Sequence, residues 1–389
     1  MSTVVIRVAR PSVGEEEAAA ITQVLLSGNY VSGKKVEEFE RAFAEYIGGN
    51  HAVAVNSGTA ALHTALAVLG IGPGDEVIVP PLTFFSTISA VLHQNAIPIF
   101  ADIDPDSFCL DPRDVEEKIT ERTRAIMPVH LYGNSAEIDA LVNIAGRHDL
   151  KVIEDAAQAH GTEYKGKKVG SMSDIGCFSF FATKHMTTGE GGMLVTNNGK
   201  WTELAMMIRN HGLSNRDDHD CLGYNYRMNE IAAAIGIVQL RKLDSMNQRR
   251  IDNSLYLIEE LEERRIPWLA VPKLKEHIKH TFFWCPVCID EEKAGFSTKE
   301  LIVKLREKGI ETRNRYQEPL YKQKILIEKN PYPRGFPFNS KHYSQELDYG
   351  KVNLKNAEKV AGRIVGLPNH CGLGRSELDY IVDVLSNIA

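Results

Sequence analysis

Lys184 and His185 stand side by side in "SFFATKHMTTGEGG" (179–192), between an apolar run and a turn too rich in glycine to be helix. A lysine at the edge of a core, desolvated or near another cation, has a lowered pKa and becomes nucleophilic toward carbonyls. An ordinary surface lysine is the plainer alternative. Three further stretches hold groups that such a lysine would need. In "VNSGTAALHTAL" an apolar run gives way to Ser57, Gly58 and Thr59 at the start of a helical pattern. Backbone N–H groups, two hydroxyls and a helix N-terminus together suit an anion such as phosphate, although a plain helix cap reads the same way. In "VIEDAAQAHG" Asp155 closes a second apolar run and is followed by Gln158 and His160. A carboxylate there can pair with a protonated ring nitrogen, or simply cap the next helix. In "PPLTFFSTISA" Phe84 and Phe85 come just after a third run, where an aromatic ring can stack on a flat cofactor or pack in the core.

Together the four stretches meet the requirements of pyridoxal phosphate: a phosphate cup, a stacking face, an acid for the pyridine nitrogen and a lysine for the aldehyde. In that reading Asp155 keeps the ring nitrogen protonated, and Lys184 first anchors the cofactor and then moves the proton. His185 has no chemical step.

The elements that would position these groups alternate along the first two hundred residues. "EEEAAAITQVLLSG" and "KKVEEFERAFAEYIG" carry apolar residues at helical spacing. Short β-branched runs follow at 51–55, 75–80, 96–102, 123–130 and 150–155, separated by helical segments, and "DIGCFSF" and "GGMLVT" add two more. Strands alternating with helices predict an α/β fold, a mostly parallel sheet with helices on both faces. Ligands of such sheets bind at the carboxyl ends of the strands, where the four stretches lie. A long helix is expected from Asn229 to about Arg265. Beyond it the pattern gives a strand (281–289), helices at 297–308, 356–364 and 375–387, and a Pro/Tyr/Asn-rich loop at 317–345. The expected division is a large domain at 1–265, holding the N-terminal helices and the long linking helix, and a small C-terminal domain at 266–389.

Composition narrows the function classes. Hydrophobic residues at 43% and charged residues at 25% match an ordinary soluble globular protein. A formal charge of −6 without a basic block argues against nucleic acid as partner. The opening "MSTVVIRVAR" reaches Arg7 too soon for a secretory signal, and "IAAAIGIVQL" (231–240) is too short to span a bilayer. A cytoplasmic location is expected. Six cysteines make no disulfide scaffold, and the Cys285/Cys288 pair in "TFFWCPVCI" reads as part of a buried strand, with no second pair to complete a metal site.

In this order the motifs resemble the DegT/DnrJ/EryC1/StrS family of sugar aminotransferases, within the fold-type I aminotransferases. The resemblance runs from "LLSGNYVSGKKVEEFERAFAEYIG" and "AVNSGTAAL" through "PPLTFFST", "MPVHLYG", "VIEDAAQAHG", "FSFFATKHMTTGEGGMLVT" and "RNHGL" to "GYNYRMNEIAAAIGIVQL", "PLY" and "LPNHCGL". It implies that Lys184 holds the cofactor, Asp155 partners its ring nitrogen and Gln158 lies beside its ring hydroxyl. It further implies phosphate contacts from Gly58, Thr59 and Ser179, a stacking face from Phe84 or Phe85, and a phosphate ligand from Asn225 of a neighbouring subunit. The active sites would then be shared across a homodimer. Dehydratases similar to the family carry histidine at the lysine position; counting five residues on from Ser179 gives Lys184, so the register implies an aminotransferase.

The implied substrates are L-glutamate and a keto-sugar, nucleotide-linked, with a keto-inositol or sugar phosphate and glutamine as donor the alternative. A PLP-dependent dehydratase and a non-catalytic regulatory homologue are the remaining readings. Arg227 and Arg209 are candidates for a donor carboxylate or acceptor phosphate, or for ion pairs of their own. The chain departs from the family pattern at Asn369 and Cys371, at "NSAEID" after "HLYG", and across 313–345.

Overall fold

The computed structural model describes residues 5–343 and 345–388. Met1–Val4 of the opening run and Ser344 of the long loop therefore lie outside the described residues. Among those described, seven strands make one sheet: β1 (His51–Val55), β2 (Glu76–Val79), β3 (Ile97–Phe100), β4 (Thr123–Ile126), β5 (Lys151–Asp155), β6 (Ile175–Ser179) and β7 (Gly192–Thr196). Their order is β1-β7-β6-β5-β4-β2-β3. Strands β3, β2, β4, β5 and β6 pair in parallel, and β7 runs antiparallel to both β6 and β1. Six strands thus share one direction, as the alternation of strand and helix predicts. Val77, Ile78 and Val79 are buried, the apolar run of a strand covered on both faces.

Helices cover the sheet: α1 (Glu15–Ser27), α2 (Lys34–Ile47), α3 (Gly58–Val68), α4 (Ser86–His93), α5 (Ile138–Arg147), α6 (Gly199–Arg209) and α7 (Glu230–Glu263). Along α2 the buried residues Val36, Phe39, Phe43 and Ile47 recur every three or four positions, one stripe facing the core. The Phe43 ring meets Phe178 of β6 edge-on at 4.9 Å, and Phe39 lies 5.1 Å from Phe180. The start of α7 is tied to the start of α2: the Glu230 carboxylate accepts the backbone N–H groups of Gly33, Lys35 and Val36 at 2.9–3.0 Å. Those are orphan donors of the α2 N-terminus, so one side chain caps that helix from another element.

Past α7, a small antiparallel sheet of β8 (Leu269–Ala270), β9 (Cys285–Ile289) and β10 (Ile364–Leu367) packs with α8 (Thr298–Glu307) and α9 (Arg375–Asn387). Leu257 and Leu261 of α7, Val287, Leu301, Leu305 and Ile381 belong to this second core. Cys285 lies buried on β9, and Cys288 half-buried. The helix expected at 356–364 stops at Val360. Gly362 takes a left-handed φ of 75°, and Ile364 opens the last strand against β9. Helical periodicity carried the expectation too far because a β-branched pair follows the turn at once.

The Pro/Tyr/Asn-rich stretch is no free loop. Tyr321, Leu326, Phe338 and Tyr343 are buried against the first core, as is Tyr349 just beyond the stretch. The Tyr343 hydroxyl donates to Glu76 of β2 at 2.9 Å, and the Tyr349 hydroxyl to the Pro98 carbonyl of β3 at 2.7 Å. An edge strand leaves backbone groups unpaired, and the Tyr349 hydroxyl takes up one carbonyl of the edge strand β3, while Tyr343 is fixed on the neighbouring β2.

Candidate active site

Strands β1, β2, β5 and β6 run in one direction and end on the same side of the sheet, and residues that follow them line a cavity of about 610 Å³. Ser57, Gly58, Thr59, Phe84, Asp155, Gln158, Ser179 and Lys184 all line it. Parallel strands deliver their carboxyl ends to one side of the sheet, which is why positions more than a hundred residues apart converge there.

Asp155, the last residue of β5, is buried. Its carboxylate accepts the Thr87 hydroxyl at 2.9 Å and the Ala157 N–H at 3.2 Å. Thr87 in turn lies 3.1 Å from the Thr83 hydroxyl. Burial nevertheless raises the Asp155 carboxyl above its ordinary value; the Thr87 and Ala157 bonds and the nearby Lys184 ammonium pull the other way without overcoming it. A cationic N–H placed against this carboxylate would stabilise its charged form. Gln158 is fixed by its neighbours: its carbonyl oxygen accepts the Tyr132 N–H at 3.3 Å, and its amide donates to the Tyr316 hydroxyl at 3.1 Å.

Lys184 Nζ lies 4.7 Å from the centre of the Phe283 ring. Burial pulls its ammonium down to about 8; Asp155 opposes this, and Arg315 adds to it. Near neutrality a useful fraction of the amine is unprotonated, as a carbonyl-directed nucleophile requires. His185 turns the opposite way. Its ring is buried between His160, 5.5 Å away, and Phe283, 5.8 Å away, and neither ring nitrogen meets a hydrogen-bond partner among the described residues. Burial holds it well below the ordinary histidine range, hence neutral. The two adjacent residues have separate places, Lys184 in the cavity and His185 in the core.

The Ser57–Thr59 turn combines both readings that the sequence leaves open. Ser57 Oγ caps α3 by accepting the Ala60 N–H at 3.1 Å, while Gly58 and Thr59 face the cavity. A Cβ on Gly58 would sit 2.6 Å from Ser179 Cβ, so only glycine lets the N-terminus of α3 approach the end of β6. Thr59 Oγ1 and Ser86 Oγ lie 2.8 Å apart across the same rim.

Two sequence candidates stand elsewhere. Phe85 packs against the core, and Phe84, about half exposed, lines the cavity. Asn225 is exposed; its backbone carbonyl accepts the Asn56 amide at 3.1 Å, and its side chain does not line this cavity. Arg209 is committed to the buried Glu40 carboxylate and the Ala54 carbonyl, and Arg227 donates to Asn210 at 2.7 Å. Neither arginine reaches the cavity. Thr87, Phe283, Trp284, Arg315 and Tyr316 line it instead, and sequence reasoning passed over them. Thr87 was within reach, one helical turn after Thr83 in a stretch already singled out.

The residues present fit pyridoxal phosphate. Among the described residues the Asp155 carboxylate is held by the Thr87 hydroxyl and the Ala157 N–H and by no cation within ion-pair distance, Lys184 offers an amine, and the Gly58–Ser179 approach forms a cradle that a Cβ would fill. Among the described residues, no group of three or more His, Cys, Asp or Glu side chains is placed to hold a metal ion. No helix among them is long and apolar enough to cross a membrane.

A mainly parallel sheet with an amine, a buried carboxylate and an anion cradle at its carboxyl edge defines an aminotransferase of the α/β type. The chain belongs to the DegT/DnrJ/EryC1/StrS aminotransferase family, whose pattern matches residues 11–386. It is 38% identical over 367 residues to GDP-perosamine synthase of Caulobacter vibrioides, covering 92% of this chain and 90% of that one. PseC of Helicobacter pylori, an aminotransferase involved in the biosynthesis of pseudoaminic acid, superposes with a TM-score of 0.87 at 29% identity, over 98% of each chain. NtdA of Bacillus subtilis, solved with bound cofactor PMP, gives 0.83 at 29% identity over 96% of this chain and 82% of that one.

Proposed function

We propose that this chain is a pyridoxal-phosphate-dependent transaminase that takes the amino group of L-glutamate and places it on the ketone of a nucleotide-linked sugar. The carrying observation is that Lys184 and Asp155 face one cavity beside the Gly58–Ser179 cradle. When bound there, the cofactor supplies an aldehyde for the amine and a ring that accepts electrons. Lys184 Nζ holds the cofactor and then moves the proton in each half of the exchange, its lowered ammonium pKa making it able to give and take near neutral pH. Asp155 keeps the ring nitrogen protonated, Thr87 orients that carboxylate, Phe84 covers one ring face, and Gln158 stands beside the ring hydroxyl. Ser57, Gly58, Thr59 and Ser179 receive the phosphate.

The same proposal includes a homodimer with shared sites, in which Asn225 serves the neighbouring copy. Its exposed side chain, away from the cavity of its own chain, supports that reading, as do the exposed Val31 and Met206 beside Arg227. A large domain at 1–265 and a small one at 266–389 are supported by the second core around β9, although 316–360 packs on the first. A cytoplasmic location goes with the small-molecule substrates.

The test is the absorbance spectrum of the cofactor-loaded protein before and after L-glutamate. The expected result is loss of the long-wavelength band of the bound aldehyde form. A band that persists with L-glutamate and yields to L-glutamine replaces the donor. The absence of any band after reconstitution removes the reading.

A further inference from the structure

A cavity of about 410 Å³ lies away from the Lys184 cavity and shares no lining residue with it. Its walls are the segment before α1 (10–13), one face of α7 (242–249) and the turn after β10 (370–372). Helix α1 runs antiparallel to α7: Glu17 meets Gln239 and Lys242, whereas Gly33, past the end of α1, meets Glu230. At 1.5 Å per residue the cavity sits about 24 Å along α7 from Glu230 and from Val31 beside it, where the subunit contact is proposed.

Arg10, Lys242 and Arg249 line this cavity, and among the described residues no carboxylate does. Lys242 is answered from outside by Glu17 at 2.9 Å and Glu16 at 3.2 Å. Arg10 and Arg249, both exposed, have no carboxylate within ion-pair distance among the described residues. A third arginine stands behind the wall. Arg250 is only 6% exposed; its Nη1 donates to the Asn369 carbonyl at 2.9 Å, and its Nε has no partner among the described residues. It too lacks a carboxylate within ion-pair distance there, and a buried guanidinium without a counter-charge is costly. Burial and then the Arg250 charge hold His370 below the ordinary histidine range, Arg10 adding to this and Glu377 opposing it. The neutral ring accepts the Gly372 N–H on Nδ1 at 3.2 Å, so Nε2 carries the proton.

Guanidinium groups without carboxylate partners match oxyanions, which accept several charge-assisted hydrogen bonds. Here donors come from three sides: the 10–13 segment, α7 and the 370–372 turn. A tetrahedral phosphate presents terminal oxygens in three directions, where a planar carboxylate presents two. We propose that this cavity is a binding site for a phosphate-bearing small molecule, held by Arg10 and Arg249, with His370 as a neutral donor and Arg250 as the buried cation that the anion balances. The site is separate from the transamination centre, and the proposal stands independently of that reading. Occupation ties the segment before α1 to α7 and to the turn after β10, three parts far apart in the chain.

The test is hydrogen–deuterium exchange of the cofactor-loaded protein with and without inorganic pyrophosphate, read peptide by peptide by mass. Loading keeps the probe out of the Gly58–Ser179 cradle, and the local readout separates this cavity from every other. Slower exchange is expected in the peptides that cover 8–13 and 370–374, saturating with pyrophosphate and weakening as salt rises. Arg10→Gln and Arg249→Gln should each need about ten-fold or more pyrophosphate for the same protection. Lys293→Gln removes a charge outside the cavity and should match the wild type. Both arginines are exposed, so unchanged melting temperatures confirm that the variants fold. No protection in either peptide overturns the proposal, as does protection that survives in Arg10→Gln/Arg249→Gln or is confined to peptides of the Lys184 cavity. Citrate, whose charges are all carboxylates, should protect only at about ten-fold higher concentration or more; equal protection overturns the phosphate assignment. ADP and UDP then separate the sources of the phosphate. A midpoint at least about ten-fold lower than that of pyrophosphate assigns a nucleotide, about 1.4 kcal/mol; equal midpoints assign a simple phosphate. Loss of the spectral response to L-glutamate with this protection intact would remove the reaction and leave the site. The converse would remove the site alone.

Discussion

Gly58→Ala is the sharpest structural probe of the cradle. The added Cβ would lie 2.6 Å from Ser179 Cβ, 3.1 Å from its Oγ and 3.2 Å from its Cα. Carbon atoms rest at roughly 3.5–4.0 Å, so the start of α3 and the end of β6 must part by about 1 Å. Both are anchored in the core through buried neighbours, Ala60 and Ala61 on one side and Phe178 on the other, and cannot drift apart freely. Overpacking of this kind costs about 1–3 kcal/mol. If the strain is relieved by widening the cradle, the same energy appears as a loss of about 5- to 150-fold in affinity for pyridoxal phosphate. The assay is a cofactor titration followed by absorbance, alongside thermal melting of the stripped protein. Ser179→Gly removes the two closest side-chain atoms, so Gly58→Ala/Ser179→Gly should recover part of the loss, giving a coupling energy in the double-mutant cycle. Unchanged melting and unchanged cofactor affinity in Gly58→Ala would refute the reasoning, as would a double variant no better than the sum of the singles.

Three other variants or conditions separate the remaining roles. Asp155→Asn should keep the cofactor and lose transfer by about two to four orders of magnitude, because an amide does not stabilise a protonated ring nitrogen; single-turnover bleaching with L-glutamate measures it. Capture of pyridoxal phosphate by the stripped protein should be slow below, and level off above, a midpoint of about pH 8. The sign follows from burial, which lowers the Lys184 ammonium pKa while only the free amine attacks; a midpoint at the ordinary lysine value would count against it. Arg209→Gln leaves the buried Glu40 carboxylate without its cation and should destabilise the fold by about 3–5 kcal/mol. Denaturant unfolding tests this. A spectral response to L-glutamate that vanishes in a normally stable variant would instead make Arg209 a substrate ligand.

Much of this arrangement was legible because local chemistry and global topology agree. The β-branched runs are short and apolar, so β1 to β7 declared themselves, and their carboxyl ends carried Ser57, Asp155 and Ser179. The register from Ser179 to Lys184 separated two adjacent side chains that the structure sends to opposite sides, one into the cavity and one against His160. Other features had no local signature. Arg315 and Tyr316 reach the cavity from more than a hundred residues beyond Lys184, and their neighbours show neither period nor motif. Phe84 and Phe85 are adjacent at the start of a helix, where one step of about 100° decides which ring meets the cavity. Strand β10 was hidden because a helix stops only two residues before Gly362. The tyrosines at 321 and 343 read as loop composition, yet both are buried against the first core.

The central claim, that Lys184 carries the chemistry, is tested most directly by borohydride reduction of the cofactor-loaded protein followed by peptide mass mapping. The account predicts a pyridoxyl group on the Lys184 peptide and none in Lys184→Ala. A label on another lysine, or a wild-type protein that takes up the cofactor and cannot be labelled, would contradict it.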